Sequence, residues 1–283
     1  MNSDTSSEIL QTDPGLSVFR LAALYGGTDK RPDDETLEIM FRQVNSGIIS
    51  DLKPTQIWPE LSLGLMAPKP SNMVRALYAC GALTMILPEV SALFGVPQIA
   101  DDPPEVDIGQ HILRVLDGVA LNSASLSVRF AALVMHVGKS DSPLEHLPVH
   151  YRHVERGAPR IRDICERFET PSDCYDMALL ALSECERVHR VSEVRAGPVA
   201  SMLEHLAAFE QPTRFADFTL LCACDFRAYP GNTNKGYIKA DLLNRALAAC
   251  SEIDADDIKA AQGNVQDARA IAIARAFHSV RWY

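Results

Sequence analysis

Apolar residues recur at helical spacing along this chain, and no stretch alternates apolar with polar residues at the period of a strand. One run, DDETLEIMFRQVNSG, opens on an acidic turn at Asp33, carries Leu37, Ile39, Met40 and Val44, and stops at Gly47. Asp107 to Ala120, DIGQHILRVLDGVA, has the same amphipathic character, and so do the stretches 194–210 and 213–228. No internal repeat is visible. The pattern predicts an all-α architecture. At 283 residues the chain is long enough for one elongated helical domain or two small ones.

The chemistry gathers between Ser127 and Gly157, SVRFAALVMHVGKSDSPLEHLPVHYRHVERG. An apolar helix there breaks at Gly138-Lys139, passes two prolines and enters a second helix. His136, His146, His150 and His153 lie in this stretch, with His111 one helix upstream. Imidazole is the usual nitrogen ligand of a divalent metal, and histidines at neighbouring helix ends can converge on one ion. The second helix presents Arg152, Arg156 and Arg160 at successive i, i+4 positions, hence on one face. That face reads either as a phosphate-facing ridge, continued by Arg187 and Arg190, or as an ion-paired surface neutralised by Glu155, Asp163 and Glu166. Ser71 and Ser172 are predicted helix caps.

A formal charge of −10 argues against a general polyanion binder, although a local basic groove is compatible with it. Seven cysteines with no Cys-x-x-Cys pair point to buried thiols in a reducing cytosol. No apolar run reaches the length of a membrane span, and MNSDTSSEIL has no basic-then-apolar leader pattern. The expected location is cytoplasmic, with residues 1–12 a disordered tail.

The central stretch resembles the HD-domain region of bacterial multifunctional CCA-adding tRNA nucleotidyltransferases. Their pattern, Arg-Phe-Ala-x-Leu-Cys-His-Asp-Leu-Gly-Lys, is matched at Arg129, Phe130, Ala131, Leu133, Gly138 and Lys139, and later at Pro148, His150, His153 and Gly157. The His-Asp dyad is replaced by Met135-His136, and one later His by Tyr151. CGALTMILPEVSALFGVPQ matches the neck-to-body passage, Asp225 and Arg227 align in the body, and Asp13 and Arg20 survive from an upstream motif. The resemblance runs over roughly residues 13–282. It implies a helical neck and body over 13–105, a degenerate HD domain over 106–210 and a C-terminal helical tail over 211–283. The family's catalytic head would precede Asp13, and none of its metal-binding carboxylates is found there, so nucleotidyl transfer by this chain has no expected chemical basis.

The resemblance makes His111, His136, His150 and His153 candidate metal ligands. Lys139, Arg152, Arg156, Arg160, Arg187, His189 and Arg190 become candidates for contact with phosphate or RNA. No residue is assigned a catalytic role. A neutral nitrogen donor set favours Ni²⁺, Co²⁺ or Zn²⁺ over Mg²⁺. Three readings follow. The first is a non-catalytic module that binds RNA (tRNA-like), a nucleotide or a protein partner. The second is a phosphohydrolase of the 2′,3′-cyclic phosphodiesterase, 2′-nucleotidase or phosphatase type, with a rewired His-rich site. The third is one half of a split CCA-adding enzyme.

Overall fold

The computed structural model describes residues 14–101, 103–192 and 195–278. The expected disordered tail and Asp13 lie outside the described residues. The architecture is all-α, and the described residues form fifteen α-helices and one two-stranded antiparallel sheet. The sheet pairs Pro97–Ile99 with Glu105–Asp107, Gln98 opposite Val106. Three-residue strands are too short to leave an alternation in the sequence.

In the first third, the helix Pro14–Gly26 lies between Pro54–Leu65 and Pro70–Ala79. It is apolar almost all round, with Val18, Phe19, Leu21, Ala22 and Tyr25 buried, as expected of a helix covered on several sides. Asp33 caps the next helix by accepting from Thr36 N at 2.8 Å. The predicted caps Ser71 and Ser172 sit instead inside their helices, which begin at Pro70 and Ser172. Proline, which has no N–H to satisfy, takes the first helical position at 70. Ser71 and its N–H bond the carboxylate of Asp117 on the Ile108–Leu121 helix, at 2.7 and 3.2 Å, so a neighbouring helix supplies the capping oxygen.

Four helices frame the centre. Leu126–Val134 packs on Ser172–His189, and Ile108–Leu121 packs on Pro212–Ala228. Asp107 caps the Ile108–Leu121 helix, accepting from Gln110 N at 2.7 Å. The helix Pro212–Ala228 comes from the stretch expected to form a tail, yet it lies against both Ile108–Leu121 and Ser172–His189. Trp58 meets Phe130 edge-on at 5.7 Å and touches Phe168, joining the N-terminal helices to this frame. The segment after the Leu126–Val134 helix tightens into a 3₁₀ turn, Val137–Lys139. The His153–Phe168 helix crosses it so closely that a Cβ on Gly138 would collide with the His153 carbonyl.

Candidate metal centre

Each of the four framing helices, or its end, brings one or two donor side chains to a common point. Asp225, near the end of Pro212–Ala228, is 3% exposed. Its Oδ1 accepts from His111 Nε2 at 2.8 Å and from His136 Nε2 at 3.2 Å. Its Oδ2 accepts from His189 Nε2 at 2.9 Å. Cys185, one turn before His189 on the same helix, places its Sγ 3.4 Å from that nitrogen. Tyr237 Oη lies 2.7 Å from His189 Nδ1 and fixes the ring, so that Nε2 faces the carboxylate. Met135 is buried beside them and, with His136, Cys185, His189 and Asp225, lines a small cavity.

A buried carboxylate needs a cation or strong donors. Burial would raise the Asp225 carboxyl, but the three histidines outweigh it and hold the group well below the usual carboxylate range. Burial, with the Lys139 ammonium nearby, pushes His136 down to about 4, so this ring is neutral near pH 7 and can offer a nitrogen lone pair to a metal once its bond to Asp225 is given up. Burial opposes protonation of His189 too, yet its contacts with Cys185 and Asp225 raise it. Cys185 is held as a thiol by its hydrogen bond with Cys222 and by burial.

Of the ligands expected from sequence, His111 and His136 meet on Asp225, His153 lines the adjoining small cavity, and His150 is bonded elsewhere. His150 donates through Nε2 to the Pro97 carbonyl at 2.9 Å and accepts at Nδ1 from Ser142 at 2.8 Å, so both nitrogens are engaged. His153 donates through Nδ1 to the His150 carbonyl at 2.9 Å and turns Nε2 toward Glu186 at 3.5 Å. His146 is exposed against Tyr151. His189, expected to meet phosphate, is instead a member of the cluster.

The expected phosphate ridge is largely engaged with the protein. Lys139 is buried, with Nζ 3.0 Å from Glu186 and 3.1 Å from Gln98. Burial would raise the Glu186 carboxyl; Lys139 and His153 outweigh it and bring it down to about 2. Arg156 donates to the Gly138 and Tyr151 carbonyls and pairs with Asp141 at 3.0 Å. Arg160 donates to the Val137 carbonyl and pairs with Asp141 at 2.6 Å. Arg152 pairs with Glu155 on the surface, Arg187 pairs with Glu184, and Arg190 donates to the Glu186 carbonyl. The i, i+4 spacing put Arg152, Arg156 and Arg160 on one face; what it could not show is that the loop 137–142 lies within reach of Arg156 and Arg160.

Two cavities adjoin the cluster. A small one of about 40 Å³ lies on the side of His136, Lys139 and Glu186. A larger one of about 670 Å³ reaches His189 and is walled by Phe226, Tyr229 and Tyr237, with Lys235 and Lys239 at its edge. Sequence reasoning noted Asp225 only as an aligned body residue and did not place Tyr229, Tyr237 or Glu186 at the site. The only available signal was a lone acid in an otherwise apolar helical run, TLLCACD.

Fold and cluster together define an all-α protein built around a buried His/Asp/Cys donor set. The chain is a homologue of multifunctional CCA proteins. It is 41% identical to the multifunctional CCA protein of Burkholderia cenocepacia (strain HI2424) over 261 residues, 92% of this chain and 63% of that one. It is 38% identical to that of Paraburkholderia phymatum over 271 residues, 93% and 64% of the two chains. For Nitrosospira multiformis the identity is 40% over 264 residues, again 93% and 64%. The chain thus spans somewhat under two thirds of the length of the curated relatives it matches. No family model matches it. Among the described residues no helix is long and apolar enough to cross a membrane, and all seven cysteines are free and buried.

Proposed function

We propose that this chain is a CCA-adding-enzyme-related protein of tRNA metabolism that holds a divalent metal at His111, His136 and Asp225 and acts on phosphate esters of nucleotides or RNA ends. The observation that carries this reading is the convergence of His111 and His136 on Asp225 Oδ1. Replacement of the family's His-Asp dyad by Met135-His136 removes an anionic ligand from one helix end, and Asp225 supplies an anion from another. The donor chemistry, two imidazoles and a carboxylate with a third imidazole adjoining, suits Zn²⁺, Co²⁺ or Ni²⁺ better than Mg²⁺. Such an ion, when bound, supplies Lewis acidity and an activated water. The protein's own part is to keep His136 neutral, to orient His189 through Tyr237, and to offer a cavity in the size range of a nucleotide next to them.

Burial supports a second reading, a module that binds RNA, nucleotide or a protein partner without turnover. His111 is fully buried, and the cavity on the His136 side is barely larger than a water molecule. The discriminating experiment is hydrolysis of 2′,3′-cyclic AMP by the purified protein, with Mg²⁺, Mn²⁺, Co²⁺, Ni²⁺ and Zn²⁺ supplied in turn. Turnover with a nitrogen-preferring metal, abolished in His136→Ala, supports the hydrolase. No turnover with any of the five leaves the binding module.

A further inference from the structure

The Asp225 carboxylate has two oxygens, and each faces its own donor set. His111 and His136 address Oδ1, whereas His189 addresses Oδ2 with Cys185 beside it. Within each set, His111/His136/Asp225 and Cys185/His189/Asp225, all ligand atoms lie within 4.8 Å of one another. We infer that Asp225 bridges two divalent ions, the second held on Oδ2 by His189 and the thiolate of Cys185, a site for a zinc-class ion. The first ion rests on the reading given under Proposed function; the second stands on its own donors.

The spacing fits. A zinc-class ion bonds imidazole at about 2.0–2.1 Å and thiolate at about 2.3 Å in a tetrahedral arrangement, which puts neighbouring donors roughly 3.3–3.6 Å apart. The separations here are 2.9 Å for His189–Asp225 and 3.4 Å for Cys185–His189, so an ion needs an outward movement of only a few tenths of an ångström. Two-ion centres hold their ions about 3.5–4 Å apart, a distance that one carboxylate can bridge. Cys185 and His189 share a helix at i, i+4 and need no rearrangement to face the same point. The Tyr237 hydroxyl at Nδ1 directs Nε2 into the set, as outer partners of metal-bound histidines do. The His189 side chain is 24% exposed and lines the larger cavity, which offers an entry path. On binding, the Cys185 S–H and His189 Nε2–H bonds break, both protons leave to solvent, and the sulfur and nitrogen electron pairs bond the ion.

The test is a Co²⁺ titration of the metal-free full chain, following metal per chain by elemental analysis and the near-ultraviolet thiolate-to-cobalt charge-transfer band. The wild type is expected to take up two ions with the band present. Cys185→Ser should lose the band and one ion, Cys222→Ser should keep both, and His136→Ala should keep the band with one ion. One ion without a band overturns the second site and leaves the first. One ion with a band in the wild type, unaffected by His136→Ala, overturns the first and leaves the second. A band that survives Cys185→Ser, or loss of both ions in His136→Ala, overturns the separate thiolate site, and no uptake by the wild type overturns both. Should Cys185→Ser fail to fold by far-ultraviolet circular dichroism, the wild-type ion count and band decide the matter.

Discussion

Asp225 Oδ1 lies 3.2 Å from His136 Nε2, across 89 residues of chain. This contact gives the neutral imidazole at position 136 an anionic neighbour that the local sequence lacks. Asp225→Asn preserves shape and removes the charge. We expect Co²⁺ affinity to fall by more than about 100-fold, since even outer-sphere changes cost about 10–100-fold. Competition against a coloured chelator measures this, and an unchanged affinity would refute a metal role for Asp225.

The Tyr237 hydroxyl lies 2.7 Å from His189 Nδ1. Tyr237→Phe leaves the ring packing on Phe226 intact and removes only the bond to His189 Nδ1. Loss of such an orienting partner is expected to weaken Co²⁺ binding by about tenfold, with little change in thermal stability. A large loss of stability with unchanged affinity would mean that the hydroxyl serves packing alone.

The helical fold was legible because each helix carries its own apolar face and its own stops, which are local properties. The centre was less so. Histidines crowded between 136 and 153 look like one site, but the His150 carbonyl and Glu186 engage His153, and Ser142 and Pro97 occupy His150. Asp225 joins His111 across 114 residues only because Pro212–Ala228 packs on Ile108–Leu121, which no local pattern encodes. His189 and Cys185 had the right i, i+4 spacing, but nothing in that spacing says which face is buried.

Gly138 and Gly157 illustrate how a matched motif can serve packing. A methyl group at Gly138 meets backbone, which cannot move aside, whereas one at Gly157 meets the Leu182 side chain at 2.7 Å, which can. Gly138→Ala is therefore expected to cost about 3 kcal/mol and Gly157→Ala about 1 kcal/mol, the two ends of the usual overpacking range. Urea denaturation ranks them, and the reverse order would contradict the packing described.

Arg129, the first residue of the matched motif, also serves structure. It is buried and donates to the carbonyls of Ala124, Leu65 and Ala67 at 2.8, 2.9 and 2.9 Å. Arg129→Met fills the space and leaves these acceptors without their donor, a loss of about 3 kcal/mol. For a chain of this size that is a melting-temperature drop of roughly 6 °C. Arg129→Lys, which can restore one of the three bonds, should fall between. A melting temperature unchanged in Arg129→Met would show that the carbonyls find other donors.

Asp141 gives a pH dependence that can be isolated. Burial would raise its carboxyl, but hydrogen bonding and charge from Arg160, with Arg156 adding to them, bring it below the ordinary value. A carboxylate lowered in the folded state contributes stability that is fully present above its unfolded value, about 3.9, and is lost as pH falls through the lower folded value. The clamp that Arg156 and Arg160 place on the loop 137–142 should therefore slacken below about pH 4. Asp141 is half exposed, so solvent screening keeps its share below about 1 kcal/mol. Other carboxylates also respond to acid, Glu186 among them. The informative quantity is thus the difference between wild type and Asp141→Asn in thermal melts from pH 6 down to pH 3. The wild type should be the more stable above pH 4, and the gap should close as Asp141 protonates. A gap that stays constant across this interval would show that the Asp141 charge does not hold the loop.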